Sequence, residues 1–146
     1  QHLTPEGLYF WTWKGEEVIS TFDAEWGWRW NFNIQNEEGI GWHQYSMPGY
    51  PASHSCLRLL EADAKFMFDW AEEWILADKQ TVKAKGTPVI VFGAYDFDGR
   101  RPWLNLAKDS HANDISVASL NEIVSKYQSE ILKEQQNRAN VTGGNK

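Results

Sequence analysis

Strict alternation of apolar and polar side chains marks one segment of the chain, residues 26–34. Side chains on one face of an extended strand recur at every second position, so this pattern predicts a β-strand with one face built for burial. We interpret the apolar row as a core face; the alternative is an aromatic platform on which sugar rings stack. The apolar row is Trp26, Trp28, Trp30, Phe32 and Ile34, and the polar row is Gly27, Arg29, Asn31 and Asn33.

Other apolar runs predict further strands. Residues 1–20 are interpreted as two strands joined at Lys14-Gly15. Apolar groups occupy both faces of the first of them, which favours a strand inside a layered domain. Residues 40–45 predict a strand that carries His43. Residues 89–92 are a short, continuous apolar run of the kind found in buried strands.

Helical periodicity occurs in two places. Residues 61–77 carry an apolar stripe, with acidic side chains in the first turn where they suit the helix dipole. Residues 119–122 fit a capping box that begins a second helix. Residues 135–146 have little to bury, and we predict that they are disordered. The two stripes are Ala64, Phe68, Ala71 and Ile75, and Leu120, Val124, Tyr127 and Ile131.

Length and charge narrow the classes of protein. A chain of 146 residues suits one domain, and a net charge of -6 with a pI near 5.2 argues against a nucleic-acid partner, which needs a basic face. No apolar run approaches the roughly 18 residues of a membrane span. The single cysteine excludes an internal disulfide. Because the chain does not begin with methionine, we expect a targeting signal outside it.

The single cysteine lies among groups that activate a thiol. The segment Ser53-His54-Ser55-Cys56-Leu57-Arg58 follows His43 across the turn-forming run Met47-Pro48-Gly49-Tyr50-Pro51. A free thiol is mostly protonated near pH 7, so a nucleophilic cysteine needs a base or a positive field beside it. We therefore predict that Cys56 is a nucleophile. The alternatives are a buried cysteine without chemistry and a metal site made from His43, His54 and Cys56.

Three motifs, in this order along the chain, resemble those of the L,D-transpeptidase (YkuD-like) catalytic domain. The family signature is a histidine followed at a distance by Ser/Thr-His-Gly-Cys, an aliphatic residue and Arg or Asn. The segment Ser53-His54-Ser55-Cys56-Leu57-Arg58 is similar to it. Thr4-Pro5-Glu6-Gly7 resembles the Thr-Pro-x-Gly turn before a strand, and Lys85-Gly86-Thr87-Pro88-Val89 resembles the start of a late strand. The resemblance covers about residues 4–95.

This resemblance implies a mixed α+β, β-rich fold. We expect a β-sheet sandwich or barrel with a helix packed behind the cysteine loop, and an added C-terminal helix. The expected parts are a catalytic domain at residues 1–96, a helix-bearing extension at 97–134 and a disordered tail at 135–146. Family members have several strands before the Thr-Pro-x-Gly turn, so here those strands are either missing or replaced. Ser55 stands where the family usually has glycine, and a positive φ there would add strain.

The resemblance also implies roles for the central residues. Cys56 is the nucleophile that forms an acyl-thioester, and His43 is the base, held in one tautomer by the carbonyl of Gln44. His54 supports the cysteine loop. The reverse assignment of the two histidines stays open, because a sequence shows neither reach nor orientation. The backbone N–H groups of Ser55 and Cys56 are the expected donors to the oxyanion.

Four further side chains are predicted around the site. Ser53 is expected to bond a histidine and to hold the loop. Arg58 either binds a substrate carboxylate through its planar fork or pairs with Glu61 at the surface. Trp42 is predicted to form a substrate wall, and Tyr50 flanks the site.

The function that the resemblance implies is L,D-transpeptidation of peptidoglycan stem peptides in the bacterial cell wall, with no cofactor and no metal. Water as the acceptor, in place of an amine, gives an L,D-carboxypeptidase. A third alternative is a non-catalytic module that binds peptidoglycan through the tryptophans and Arg58. The expected location is the bacterial cell envelope, periplasmic or exported, and no nucleic-acid partner is expected.

Overall fold

A computed structural model describes residues 2–19 and 27–143 of the chain. Within these residues the fold is mixed α+β, as predicted, with eight strands, three α-helices and a one-turn 3-10 helix at Pro102–Leu104. The strands are β1 Gly7–Phe10, β2 Lys14–Ile19, β3 Gly27–Gln35, β4 Ile40–Gln44, β5 Leu57–Leu59, β6 Ile75–Leu76, β7 Val82–Ala84 and β8 Pro88–Val91. The helices are α1 Glu61–Trp70, α2 Val117–Ser125 and α3 Gln128–Gly143.

The described strands form three separate sheets. The largest has the order β2-β3-β4-β5, and its pairings are antiparallel except that β4 and β5 run parallel. β1 pairs with β8, and β6 pairs with β7. Because β2 and β5 remain the two edges of the largest sheet, these strands do not close into the barrel that is one of the two expected forms.

Aromatic side chains dominate the core. Trp11 and Phe32 are fully buried, with ring centroids 4.2 Å apart. The N–H of Trp11 donates to the Thr87 carbonyl at 3.0 Å, which ties the chain after β1 to the start of β8. Gly86, one residue earlier, has no room for a side chain, because a Cβ there would collide with the backbone oxygens of Trp11 and Glu72. The remaining buried members of this core are Ile34, Ile40, Ala71 and Val89.

A β-bulge interrupts the alternation predicted for β3. Trp30 has a φ of 55°, and the pairing with β4 shifts register around it. The residues that follow, 31–34, are all buried, the two asparagines included. The predicted core face is therefore confirmed at Phe32 and Ile34, while Trp28 lies against His43 and the polar row is buried as well. A period of two holds only where the pleat is regular. Trp26 lies outside the described residues.

α1 follows β5 almost directly and packs on β3 and β4, which places it behind the cysteine loop as predicted. It ends at Trp70, earlier than predicted, where the Lys14 ammonium donates to the carbonyls of Phe68 and Ala71 at 2.7 and 2.8 Å. Ile75, which was predicted to lie on the apolar stripe of this helix, lies in β6. β2 begins at Lys14, so Lys14-Gly15 is not the predicted junction between two strands. β1, which precedes β2, pairs with β8.

The two C-terminal helices correct two predictions. Ser116, not Ser119, caps α2, and its hydroxyl accepts from the Ser119 N–H at 3.1 Å. α3 extends through the first part of the predicted disordered tail, whose last residues, 144–146, lie outside the described part. Arg138 in this helix donates to the Lys85 carbonyl at 3.0 Å, so polar contacts with the body of the domain hold it. None of the helices described has the length and apolar character needed to cross a membrane.

Candidate active site

Parallel pairing of β4 with β5 brings the predicted nucleophile and base to one place. His43 in β4 lies opposite Arg58 in β5, and Cys56 immediately precedes β5. The crossover between the two strands contains Gly49 at a φ of 79°, a conformation that glycine adopts without strain. His43 and Cys56 both line a cleft of about 290 Å³.

His43 is held as a neutral imidazole. It is 7% exposed, and its Nδ1 lies 3.1 Å from the Gln44 carbonyl, the contact that the family resemblance implies. A carbonyl only accepts hydrogen bonds, so Nδ1 carries the proton and Nε2 keeps its lone pair. Burial lowers the pKa of His43, and the Arg58 guanidinium also lowers it, while the bond to Gln44 acts in the opposite direction. The imidazole is therefore neutral near pH 7 and able to accept a proton.

Cys56 is half-buried at the border of two clefts. Its thiol donates to the Gly39 carbonyl, with 3.5 Å between sulfur and oxygen. On one side is the cleft that it shares with His43. On the other is a larger cleft of about 550 Å³, lined in part by Tyr50 and Trp103. Cys56 therefore lines both clefts.

Ser55, which stands where the family usually has glycine, adopts the left-handed backbone conformation. Its φ is 77°, a region that an L-residue enters at a cost. Its hydroxyl donates to the Leu3 carbonyl at 2.9 Å, and the Thr4 hydroxyl donates to the Ser55 carbonyl at 2.7 Å. These partly buried bonds make the segment before the Thr-Pro-x-Gly turn a support of the cysteine loop.

Ser53 and His54 complete the loop before the cysteine. The Ser53 hydroxyl donates to the Cys56 carbonyl at 2.6 Å, so Ser53 holds the loop as predicted. The predicted partner was a histidine, and the observed partner is this carbonyl. His54 is exposed and forms a β-bridge with His2. The buried histidine with a fixed tautomer is His43, which favours His43 over His54 as the base. Within the described residues, His43, His54 and Cys56 do not form a cluster that would hold a metal ion.

Arg58 braces the crossover loop. Its guanidinium donates to the carbonyls of Ser46 and Ala52 at 3.0 and 2.9 Å. The alternative, a surface pair with Glu61, is not formed, and Glu61 instead accepts from Arg29 at 3.0 Å. Arginine has five N–H donors, so these two bonds leave donors for a carboxylate.

The structure separates the two aromatic residues predicted to contact substrate. Tyr50 is exposed and lines the larger cleft. Trp42 instead packs towards the core, with its ring centroid 6.4 Å from that of Trp11. Trp28 lies beside His43, with a distance of 5.1 Å between the two ring centroids. The alternation of a strand predicts this placement of Trp42. Neighbouring residues on a strand face opposite sides, so Trp42 faces away from the cleft that His43 faces.

Sequence reasoning missed several cleft residues. Asn31 in β3 is buried and lines the cleft of His43. Tyr95, in irregular chain after β8, and Trp103, in a one-turn 3-10 helix at Pro102–Leu104, stack with centroids 6.2 Å apart and form part of the larger cleft. Isolated aromatic residues outside strands and longer helices carry no periodic signal, so the sequence offers no means of placing them.

Comparison with known proteins decides the family. The family model described as the L,D-transpeptidase catalytic domain (YkuD) matches residues 1–91. The chain belongs to this family. A crystal structure of an L,D-transpeptidase (Yku) from Stackebrandtia nassauensis is similar to 62% of this chain, with 22% sequence identity and a TM-score of 0.45. The chain spans 38% of that protein's length, and no curated protein matches the chain.

Members of the L,D-transpeptidase family are cysteine-dependent enzymes of the cell envelope that act on peptidoglycan. The match includes Cys56, His43 and the segment around Thr4 that supports the cysteine loop. It does not include Tyr95 and Trp103. The aromatic side chains of Tyr95 and Trp103 in the larger cleft therefore come from the part of the chain that follows the matched L,D-transpeptidase domain.

Proposed function

We propose that this protein is an L,D-transpeptidase that acts on peptidoglycan stem peptides through an acyl-thioester on Cys56, with His43 as the base. One observation carries the proposal: Cys56 and a neutral His43 of fixed tautomer border the same cleft in a chain of a cysteine-dependent family. The proposed location is the bacterial cell envelope, periplasmic or exported.

In the first step, Nε2 of His43 takes the thiol proton and the sulfur of Cys56 attacks the carbonyl carbon of the third stem residue. The thiol leaves its bond with the Gly39 carbonyl as it turns to the base. A carbon–sulfur bond forms, and the bond to the nitrogen of the terminal D-alanine breaks. The His43 proton passes to that nitrogen, so the D-alanine leaves as a neutral amine.

In the second step, an amine of another stem peptide attacks the thioester carbonyl. His43 takes the proton of this amine, the new amide bond forms, and the thiolate of Cys56 leaves and recovers the proton. Two clefts that meet at Cys56 suit this reaction, because the acyl donor and the acceptor approach the sulfur from different sides. Water in place of the amine gives the carboxypeptidase reaction.

The loop supplies the remaining groups in this proposal. The backbone N–H groups of Ser55 and Cys56 are the donors to the oxyanion, and the left-handed turn at Ser55 supports this role because it reorients consecutive peptide groups. The free donors of Arg58 bind a stem carboxylate, and Tyr50 contacts substrate in the larger cleft.

The test is incubation with a tetrapeptide-bearing muropeptide and product analysis by liquid chromatography and mass spectrometry. A cross-linked dimer that is formed by the parent chain and is absent with Cys56→Ala supports the transpeptidase. A tripeptide product with free D-alanine and no dimer supports the carboxypeptidase. Binding to purified sacculi without turnover, equal in the parent and Cys56→Ala, would overturn the proposal in favour of a binding module.

A further inference from the structure

A β-bulge lies directly opposite the proposed base. Arg29 pairs with Gln44 and Phe32 with Trp42, so two residues of β3 stand against the single position of His43 in β4. One of the two is Trp30, whose positive φ is unusual for so bulky a side chain. Strained backbone and bulges next to a site often orient a particular side chain.

The bulge separates side chains that a regular strand would keep on one face. Trp30 packs on α1, with its ring centroid 5.4 Å from that of Phe68. Trp28 packs on His43, with its ring at 31° to the imidazole. Asn31, the second residue of the bulge, reaches back to Trp28 and accepts a hydrogen bond from its indole N–H at 3.0 Å. Two side chains that line the cleft of His43 are thus joined to each other.

The indole nitrogen also fixes the orientation of the Asn31 amide. An indole N–H only donates, so the atom that faces it must be Oδ1. Asn31 is 4% exposed, and its Nδ2 is buried with no hydrogen-bond partner in the part of the chain that the structure describes. A buried amide with an unused donor costs stability. The bond to Trp28 is therefore the contact that accounts for an asparagine at this position.

We propose that Trp28 and Asn31 are positioning residues for His43: Asn31 fixes the indole, and the indole holds and covers one face of the imidazole. This inference rests on the proposed role of His43 as the base. The Gln44 carbonyl holds the ring at its edge, and Trp28 holds it at its face. Together the two contacts fix both the tautomer and the plane of the ring.

Single substitutions separate this role from a general loss of packing. Trp28→Phe keeps an aromatic ring and removes the N–H donor, and Asn31→Leu removes the acceptor at similar size. The matched control is Asn33→Leu, because Asn33 is 3% exposed in the same strand and its Oδ1 accepts from Thr12 at 2.9 Å, away from His43. If Asn33→Leu fails to fold, Thr12→Val removes the same bond and replaces it as control.

The first readout is the rate of Cys56 acylation by a carbapenem. Trp28→Phe and Asn31→Leu should each lower the first-order rate constant about 10-fold with unchanged half-saturation, because misplaced catalytic groups lose rate. The double variant should be no slower than either single variant if the two residues act as a unit. The control should stay within about two-fold of the parent. An unchanged rate in Asn31→Leu, or an equal loss in the control, would overturn the proposal.

The second readout is the NMR titration of the His43 ring in the protein alone. The other titratable groups that face His43 from the cleft and from β5 are the same in every variant: Glu38, Tyr45, His54, Cys56 and Arg58. We expect the His43 pKa to move up towards its ordinary value in Trp28→Phe and Asn31→Leu and to stay in place in the control. If His43 of the parent titrates below its ordinary pKa and Cys56 is still not acylated, the proposed function is contradicted. If the His43 pKa is unchanged in both variants, the positioning role is contradicted.

Discussion

His43 and Arg58 lie side by side across the parallel pairing of β4 and β5. The buried imidazole has a pKa below its ordinary value, chiefly because burial disfavours its charged form and also because the guanidinium repels a second positive charge. A base of this kind stays neutral at pH values where an exposed histidine is already protonated.

The rate of Cys56 acylation should therefore rise with pH through a His43 pKa that lies below the usual value of about 6.5. Arg58→Gln should move this rise to higher pH, because it removes a charge that lowers the pKa. Arg58→Lys keeps the charge and should leave the rise in place, even though the bonds to the loop change. Arg29→Gln removes a charge that is not among the causes of the shift. The expectation fails if Arg29→Gln moves the rise and Arg58→Gln does not.

The same shift makes stability depend on pH. Between the lowered pKa of folded His43 and about 6.5, the unfolded chain binds more protons at this residue than the folded chain does. The free energy of unfolding therefore rises with pH in this window, and the contribution of His43 to it is lost as the pH falls through the window. Urea unfolding at pH 5 and pH 7 should show a larger loss for the parent than for His43→Gln. Equal losses would mean that His43 titrates alike in both states.

Ser55 provides a test of backbone strain. Ser55→Ala loses the bond to Leu3 and keeps the strain, whereas Ser55→Gly loses the same bond and relieves the positive φ. Ser55→Gly should therefore be more stable than Ser55→Ala by about 1 kcal/mol in urea unfolding. Ser53, which has no positive φ, serves as the control, and there the alanine variant should be the more stable one. The same order at both positions would contradict strain at Ser55.

Gly86 tests the close packing of the core. In Gly86→Ala the new methyl group would collide with the backbone oxygens of Trp11 and Glu72, so we expect the free energy of unfolding to fall by roughly 3 kcal/mol or more. Gly27→Ala is the control, because its Cβ would meet the Val18 oxygen at 3.7 Å, an ordinary contact. Melting temperatures report both changes. Similar small losses in the two variants would show that the chain at Gly86 is free to move.

Local sequence signals predicted the elements that depend on neighbours in the chain. The strand with His43 and the start of α1 follow from periodicity and charge, and the structure contains both. The family motif marked Ser55 as a position where a positive φ would add strain, and its φ is 77°. Long-range contacts explain the errors. α1 ends where Lys14, distant in sequence, bonds its last carbonyls, and no pattern in the helix reveals that bond.

The predicted tryptophan row was only partly correct, for a related reason. The bulge at Trp30 directs Trp28 towards His43, whereas Phe32 and Ile34 lie in the core. A sequence does not show a bulge, because the bulge depends on pairing with β4. Trp42, chosen because it neighbours His43, faces the core for the simplest reason, the alternation of a strand.

The most direct measurement is the intact mass of the parent chain and of Cys56→Ala after incubation with a tetrapeptide-bearing muropeptide or a carbapenem. A mass increase of one acyl group on the parent alone, located at Cys56 by peptide mapping, is the predicted result. No adduct on a parent chain shown to be folded, or an equal adduct on Cys56→Ala, would contradict an acyl-thioester at Cys56.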